Sequence, residues 1–153
     1  MKNRFFLALN SFIFSTFTIG FISFVTFETN YNLLIGSFGA TMVLIFGFPE
    51  SPFSQPKNIF FGHFITSLVG IITYKYLFLS IYLVIAISVG LGIFFMILFN
   101  VTHPPAGGNA IIIILLENTS YDFLLFPISV GVIFIIFCGI LFNRFLLKKK
   151  YPS

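Results

Sequence analysis

Charge is what this 153-residue chain has least of. Asp, Glu, Lys and Arg together make up 8% of it, against 58% hydrophobic residues. A soluble domain carries about a quarter charged residues, so a water-exposed globule is excluded and an integral membrane protein is implied. The single cysteine, Cys138, rules out an internal disulfide and a thiolate metal cluster. Inside an apolar run it reads as a small packing residue. Tryptophan is absent, which leaves Tyr74, Tyr76, Tyr82 and Tyr121 as the interfacial aromatics. There are only two histidines and four acidic residues. A zinc site would have to recruit Glu50 or Glu117, and no serine-nucleophile motif is present. Neither a cofactor nor an enzymatic activity is expected.

What is present is long apolar sequence, including 25 phenylalanines. A helix of about 20 residues crosses a hydrocarbon core of about 30 Å. Phe5–Phe27, Tyr76–Phe99 and Phe123–Asn143 meet that length, and Ile59–Tyr74 meets it with a turn added at either end. Phe5–Phe27 is too long for an ordinary signal sequence and is read as a retained span. Two further apolar pieces, Gly39–Phe48 and Ala106–Leu116, are too short, and each begins with small residues. The expected class is all-α, a polytopic helical membrane bundle. Four long transmembrane helices are joined by two short broken or re-entrant ones in a single domain over residues 1–153. The order long, short, long occurs twice, which suggests inverted repeats over residues 5–75 and 76–146, a pattern common in transporters.

The segment Thr102-His103-Pro104-Pro105-Ala106-Gly107-Gly108-Asn109 interrupts this apolar sequence. Neither proline can continue a helix arriving from the N-terminal side, but Pro104 suits the first position of a new one. A helix end, a short unwound piece and a fresh helix start are therefore expected. Irregular backbone at that depth must be covered by protein or line a water-filled cavity. The loop Pro49-Glu50-Ser51-Pro52-Phe53-Ser54-Gln55-Pro56-Lys57-Asn58 reads either as a stiff connector or as a cap over a cavity. His63 either faces the bundle interior as a functional group or fixes helix packing through a backbone carbonyl. Gly62, Gly70, Gly90 and Gly92 suit close helix packing.

The residues favour transport of a small anion. A helix N-terminus carries about half an elementary positive charge and free N–H groups. Two such ends, at Gly39 and Gly107, would receive an anion near the midplane. Ser37, Thr41, Thr102 and Asn109 could add hydrogen bonds, and no acidic residue lies in either short helix. His103, with an ordinary pKa of about 6.5, would tune binding through its charge. The substrate-binding candidates are Gly36, Ser37, Gly39, Thr41, His63, His103, Pro104, Pro105, Gly107, Gly108 and Asn109. The expected partners are membrane lipid, a small anion and further copies of the chain, with no nucleic acid. A non-transporting structural or assembly protein is the alternative.

These residues resemble the HPP family of integral membrane proteins, named for its His-Pro-Pro triplet. Gly36-Ser37-Phe38-Gly39-Ala40, Pro49-Glu50-Ser51-Pro52, Gln55-Pro56-Lys57-Asn58 and Gly62-His63 are similar to the family's first block. Thr102-His103-Pro104-Pro105-Ala106-Gly107 is similar to its second. The resemblance covers roughly residues 30–145. It departs at Gly108-Asn109, where Ala-Thr is common in the family. It implies four transmembrane helices and, from some members, nitrite as the leading substrate for a transporter or channel.

Orientation follows from the basic residues. With Lys2 and Arg4 on the cytoplasmic side of a plasma (inner) membrane and six crossings, Lys57, Arg144 and Lys148–Lys150 fall on that side too. Only Lys75 then opposes the positive-inside rule. Both termini are expected in the cytoplasm, and the loop holding Glu117 and Asp122 on the other side. Cysteines introduced at Ser120 and Ser153 should label from opposite faces of the membrane; labelling from the same face contradicts this topology.

Overall fold

The structure, a computed structural model, describes residues 2–29, 33–117 and 120–153, with side chains from Arg4 onward. The Lys2 side chain and the centre of the loop between Glu117 and Asp122 lie outside what is described. The elements are α1 (Lys2–Glu28), α2 (Gly36–Met42), α3 (Pro56–Tyr76), α4 (Ile81–Leu98), α5 (Asn109–Leu115) and α6 (Val130–Ile140). A wider helical turn, Val43–Gly47, continues α2, and a tight turn, Pro104–Gly108, leads into α5. Wide turns extend α6 at both ends, so four helices are long and apolar enough to span a bilayer: Arg4–Glu28, Pro56–Tyr76, Ile81–Leu98 and Leu124–Leu146. Two are shorter, Gly36–Gly47 and Pro104–Leu115. No strand occurs among the described residues.

Local sequence sets the breaks. Pro56 and Pro104 each open a helix after a residue in extended conformation, Gln55 and His103, as a proline at the first position requires. After α4 the chain turns at Asn100, whose φ is 52°, a left-handed conformation that asparagine tolerates. Two expected boundaries are corrected. Tyr76 ends α3, and α4 begins only at Ile81. Hydropathy alone does not separate the apolar connector Leu77-Phe78-Leu79 from the span that follows. The last long span is also not one regular helix, because Phe126, before Pro127, leaves helical geometry at φ −122° and ψ 119°.

Contacts give each helix a direction. Thr41 of α2 meets His63 while Leu44 and Phe48 meet Ser54, so α2 runs antiparallel to α3. Gly62 faces His103 and Gly70 faces Ala110, so α5 runs parallel to α3. Ser11 donates to the Phe46 carbonyl, and Tyr151 donates to the Ser54 carbonyl. Both chain ends, the Pro49–Asn58 loop and the Thr102–Pro105 motif therefore gather at one end of the bundle. At the other end the Lys75 ammonium lies 5.1 Å from the Tyr121 ring centre. Each short helix thus joins opposite ends of the bundle.

The centre is α3, nine of whose 21 residues are buried. A β-carbon at Gly62 would fall 2.8 Å from that of His103, and one at Gly70 would fall 2.9 Å from the Ala110 backbone. One at Gly92 would press on Thr66 at 3.2 Å. Small residues permit this approach, and close approach drives association in lipid. Gly90 is different: nothing lies within 4 Å of an added β-carbon there, so the expected packing role does not hold at that position. Hydroxyls add polar links, with Thr73 of α3 bonded to Ser88 of α4. Stacked rings join α1 to α6 region residues, Phe14 with Phe142 at 4.5 Å and Phe21 with Phe134 at 4.8 Å.

Candidate functional site

The fold places both histidines against one threonine. His63 lies on the second turn of α3, His103 immediately before the tight turn into α5, and Thr41 on the last turn of α2. The Thr41 hydroxyl oxygen is 3.1 Å from His63 Nε2 and 2.9 Å from His103 Nε2. The two ring centres are 5.1 Å apart. Thr41, His63 and His103 have no exposed surface, and Asn109 has 1%.

The outer ends of this chain of bonds fix its direction. His103 Nδ1 is 2.7 Å from the Phe53 carbonyl oxygen. A carbonyl only accepts, so Nδ1 carries the proton. The Nε2 of the neutral ring is then an acceptor and takes the Thr41 hydroxyl proton. At the other end the Asn109 amide nitrogen lies 2.9 Å from His63 Nδ1, 3.0 Å from the Ser67 hydroxyl and 3.3 Å from the His63 carbonyl. The carbonyl requires a donor on that side of the amide, so Asn109 donates to Nδ1. His63 therefore carries its proton on Nε2 and donates it to Thr41. The sequence runs Asn109 to His63 to Thr41 to His103 to the Phe53 carbonyl, with opposite tautomers on the two rings.

Thr41 has one proton and a second acceptor in reach, the Ser37 carbonyl at 3.1 Å. This defines what the cluster can do. If His103 gains a proton, its Nε2 becomes a donor. Thr41 then turns its own proton to the Ser37 carbonyl and accepts from both rings, using its two lone pairs. His63 has no such freedom, because a proton on Nδ1 would face the Asn109 amide donor. The geometry thus accommodates one additional proton, on His103, without moving a helix. Glu28, Glu50, Glu117 and Asp122 are all exposed, so no carboxylate is at hand to balance that charge.

The Pro49–Asn58 loop covers this site as an ordered cap. Ser54 donates to the Phe48 carbonyl at 2.7 Å, and Gln55 donates to the Pro49 and Ser51 carbonyls. Asn58 reaches the Thr102 carbonyl at 3.3 Å, and the Ser153 amide donates to Gln55 at 2.8 Å. Burial pushes the Tyr151 phenol pKa up, and that phenol stays a neutral donor to Ser54.

Of the residues expected from sequence, the structure brings together His63, His103, Thr41, Asn109 and, through its carbonyl, Ser37. Gly36, Gly39, Gly107 and Gly108 border open space, with nothing within 4 Å of an added β-carbon. Pro104 is exposed and Pro105 half-buried; they start the turn rather than contact the cluster. The expected helix starts at Gly39 and Gly107 are also corrected. Extended backbone at Ile35 and His103 starts the helices at Gly36 and Pro104, and side chains rather than free helix ends meet at the centre. Gly39 instead lines a separate open groove of about 400 Å³ with Ser11, Ser15 and Thr16 of α1. Ser67 and the Phe53 carbonyl were not among the residues expected from sequence. Ser67 stands one helical turn after His63 in a membrane span, a spacing that marks a shared face.

Comparison with known proteins agrees with the architecture. The family described as HPP, transmembrane region, matches residues 2–152. Two transmembrane proteins of Dictyostelium discoideum are similar to the chain. One is 34% identical over 131 residues, covering 82% of this chain and 46% of that protein. The other is 33% identical over 134 residues, covering 84% and 43%. The chain thus spans less than half the length of these relatives. No solved structure matches it.

Thr41→Val keeps the shape of the side chain and removes the shared hydroxyl. Both histidine Nε2 atoms then face a methyl group, which should cost about 1–3 kcal/mol for the stranded polar groups. Thr41→Ser should recover most of that loss. Thermal melting of the purified protein in detergent measures both variants, and a valine variant as stable as the parent contradicts the arrangement.

Proposed function

The chain belongs to the HPP transmembrane family, and on that premise we propose that it carries a small inorganic anion across a membrane, nitrite being the leading substrate. The observation that carries the reading is the buried histidine pair without a buried carboxylate. A proton taken up by His103 creates a cation in a low-dielectric interior, where an unbalanced charge is costly. A small monovalent anion is the natural counter-charge, so proton and anion would move together and the cycle would be electroneutral. The cap loop sets access, because His103 is bonded to the Phe53 carbonyl within it. Opening the loop would free His103 Nδ1 to donate to an incoming anion. The reading is non-enzymatic, and it places the protein in a plasma (inner) membrane with both termini in the cytoplasm. The two long–short–long halves would then superpose as inverted repeats around the histidine pair.

Proteoliposomes test the proposal. Nitrite uptake above that of empty vesicles should rise as the outer medium is acidified from about pH 8 to about pH 5.5, because a proton enters with each anion. His103→Gln keeps part of the hydrogen bonding and removes the charge. The loss of a charge-assisted hydrogen bond, about 1.5–3 kcal/mol, corresponds to roughly a ten- to hundredfold loss of uptake, greatest at the acidic end. A glutamine variant that transports like the parent throughout this range contradicts the mechanism. A parent that moves no small anion leaves the cluster a packing device and favours the structural alternative.

A further inference from the structure

Two buried polar atoms beside the histidine pair have no hydrogen-bond partner: the Ser37 hydroxyl oxygen and the Asn109 side-chain carbonyl oxygen. Buried polar atoms are almost always paired, and an orphan in a native structure signals something that belongs there. Ser37 is 7% exposed and Asn109 1%. Their positions are related by helix register. Ser37 lies one turn before Thr41 on α2, on the same face. Ser67 lies one turn after His63 on α3 and is bonded to Asn109. Because α2 and α3 are antiparallel, both steps lead the same way, toward the bundle end opposite the cap. Ser37, Ser67 and Asn109 therefore form a second polar layer stacked on the Thr41–His63–His103 layer.

The two orphan atoms differ in what they need. The serine hydroxyl can donate. The asparagine oxygen can only accept, since its amide nitrogen is committed to His63 and Ser67. A halide has no proton to give and would place negative charge against that oxygen. A bare oxyanion has the same defect. We propose that this layer binds a small oxyacid in its protonated form, one oxygen accepting from Ser37 and its O–H donating to the Asn109 oxygen. The inference rests on the anion-transport reading and adds the bound form of the substrate and its discrimination against halides. The groups facing the layer are Ser67 and His63 of α3, Thr41 of α2 and Asn109 of α5. Among the described residues, His63 and His103 are the buried titratable side chains of this region, and every carboxylate is exposed. The proton on the ligand is therefore carried in with it, and the bound species is neutral overall.

The test is ligand-dependent thermal stabilisation of the purified full chain in detergent, with sodium nitrite, sodium formate and sodium chloride as probes. For the parent, nitrite and formate should raise the melting temperature, more strongly at about pH 5.5 than at about pH 7.5, and chloride should not. Ser37→Ala deletes an orphan hydroxyl while keeping the backbone carbonyl that Thr41 uses. It should melt higher than the parent without ligand and lose the nitrite and formate shifts. Chloride stabilising as well as nitrite overturns the proposal, as does an alanine variant that keeps the full shift. Absence of any shift in the parent also overturns it, since a water molecule then fills the layer. Because binding is read without vesicles, the outcome is separate from that of the transport assay. Nitrite flux in the parent with an unaltered Ser37→Ala shift defeats this inference alone.

Discussion

One hydroxyl, on Thr41, joins three neighbours inside an apolar bundle: it accepts from His63 and has two acceptors in reach for its own proton, His103 Nε2 and the Ser37 carbonyl. That constraint organises the rest of the centre. In hydrocarbon surroundings no water competes for the histidine nitrogens, and an unmatched nitrogen costs far more than at a surface. The threonine must therefore sit where both rings can reach it, which ties α2, α3 and the entry to α5 to one point. The Phe53 carbonyl at one end and the Asn109 amide at the other leave a single self-consistent direction for the protons.

Steric features serve that point. Gly62 lets the His103 β-carbon approach the α3 backbone, and no larger residue fits without displacing the ring. The left-handed turn at Asn100 follows the end of α4, and Pro104 leaves His103 extended, so its ring turns inward rather than along a helix. The cap loop, clamped by Ser54, Gln55, Asn58 and Tyr151, supplies the one carbonyl that His103 requires. Peripheral helices are less constrained. Much of α1 and α4 shows phenylalanine, leucine and isoleucine outward, as expected where lipid rather than protein covers the surface. The arrangement is rigid in its resting bonds and adaptable in one respect only, the choice of Thr41 between His103 and the Ser37 carbonyl.

Much of this was legible in the sequence, for identifiable reasons. Apolar length located four spans, and Ile59–Tyr74 extends by three residues at its start and two at its end. The proline pair located the break before α5. Starts of the short helices were displaced because Ile35 and His103, which precede them, carry no capping side chain of the usual kind. The small residues nearest the apolar runs drew attention instead. His63 and His103 were each recognised as costly in a membrane, yet their pairing across 40 positions is set by the parallel packing of α3 and α5, which no local pattern reports. Thr41 and Asn109 were named as hydrogen-bond donors to a ligand; the structure uses them first to hold the histidines. The Phe53 contribution is a backbone carbonyl and has no signature in residue type.

The most direct test is nitrogen NMR of the protein labelled at histidine, in detergent or bilayers at about pH 8, above the ordinary histidine range. Each neutral tautomer gives its own pair of ring-nitrogen shifts. The shared-proton arrangement predicts two distinct rings, His103 protonated on Nδ1 and His63 protonated on Nε2, with single substitutions assigning each. Two rings of the same tautomer would contradict it, because Thr41 could not then donate to one ring while accepting from the other.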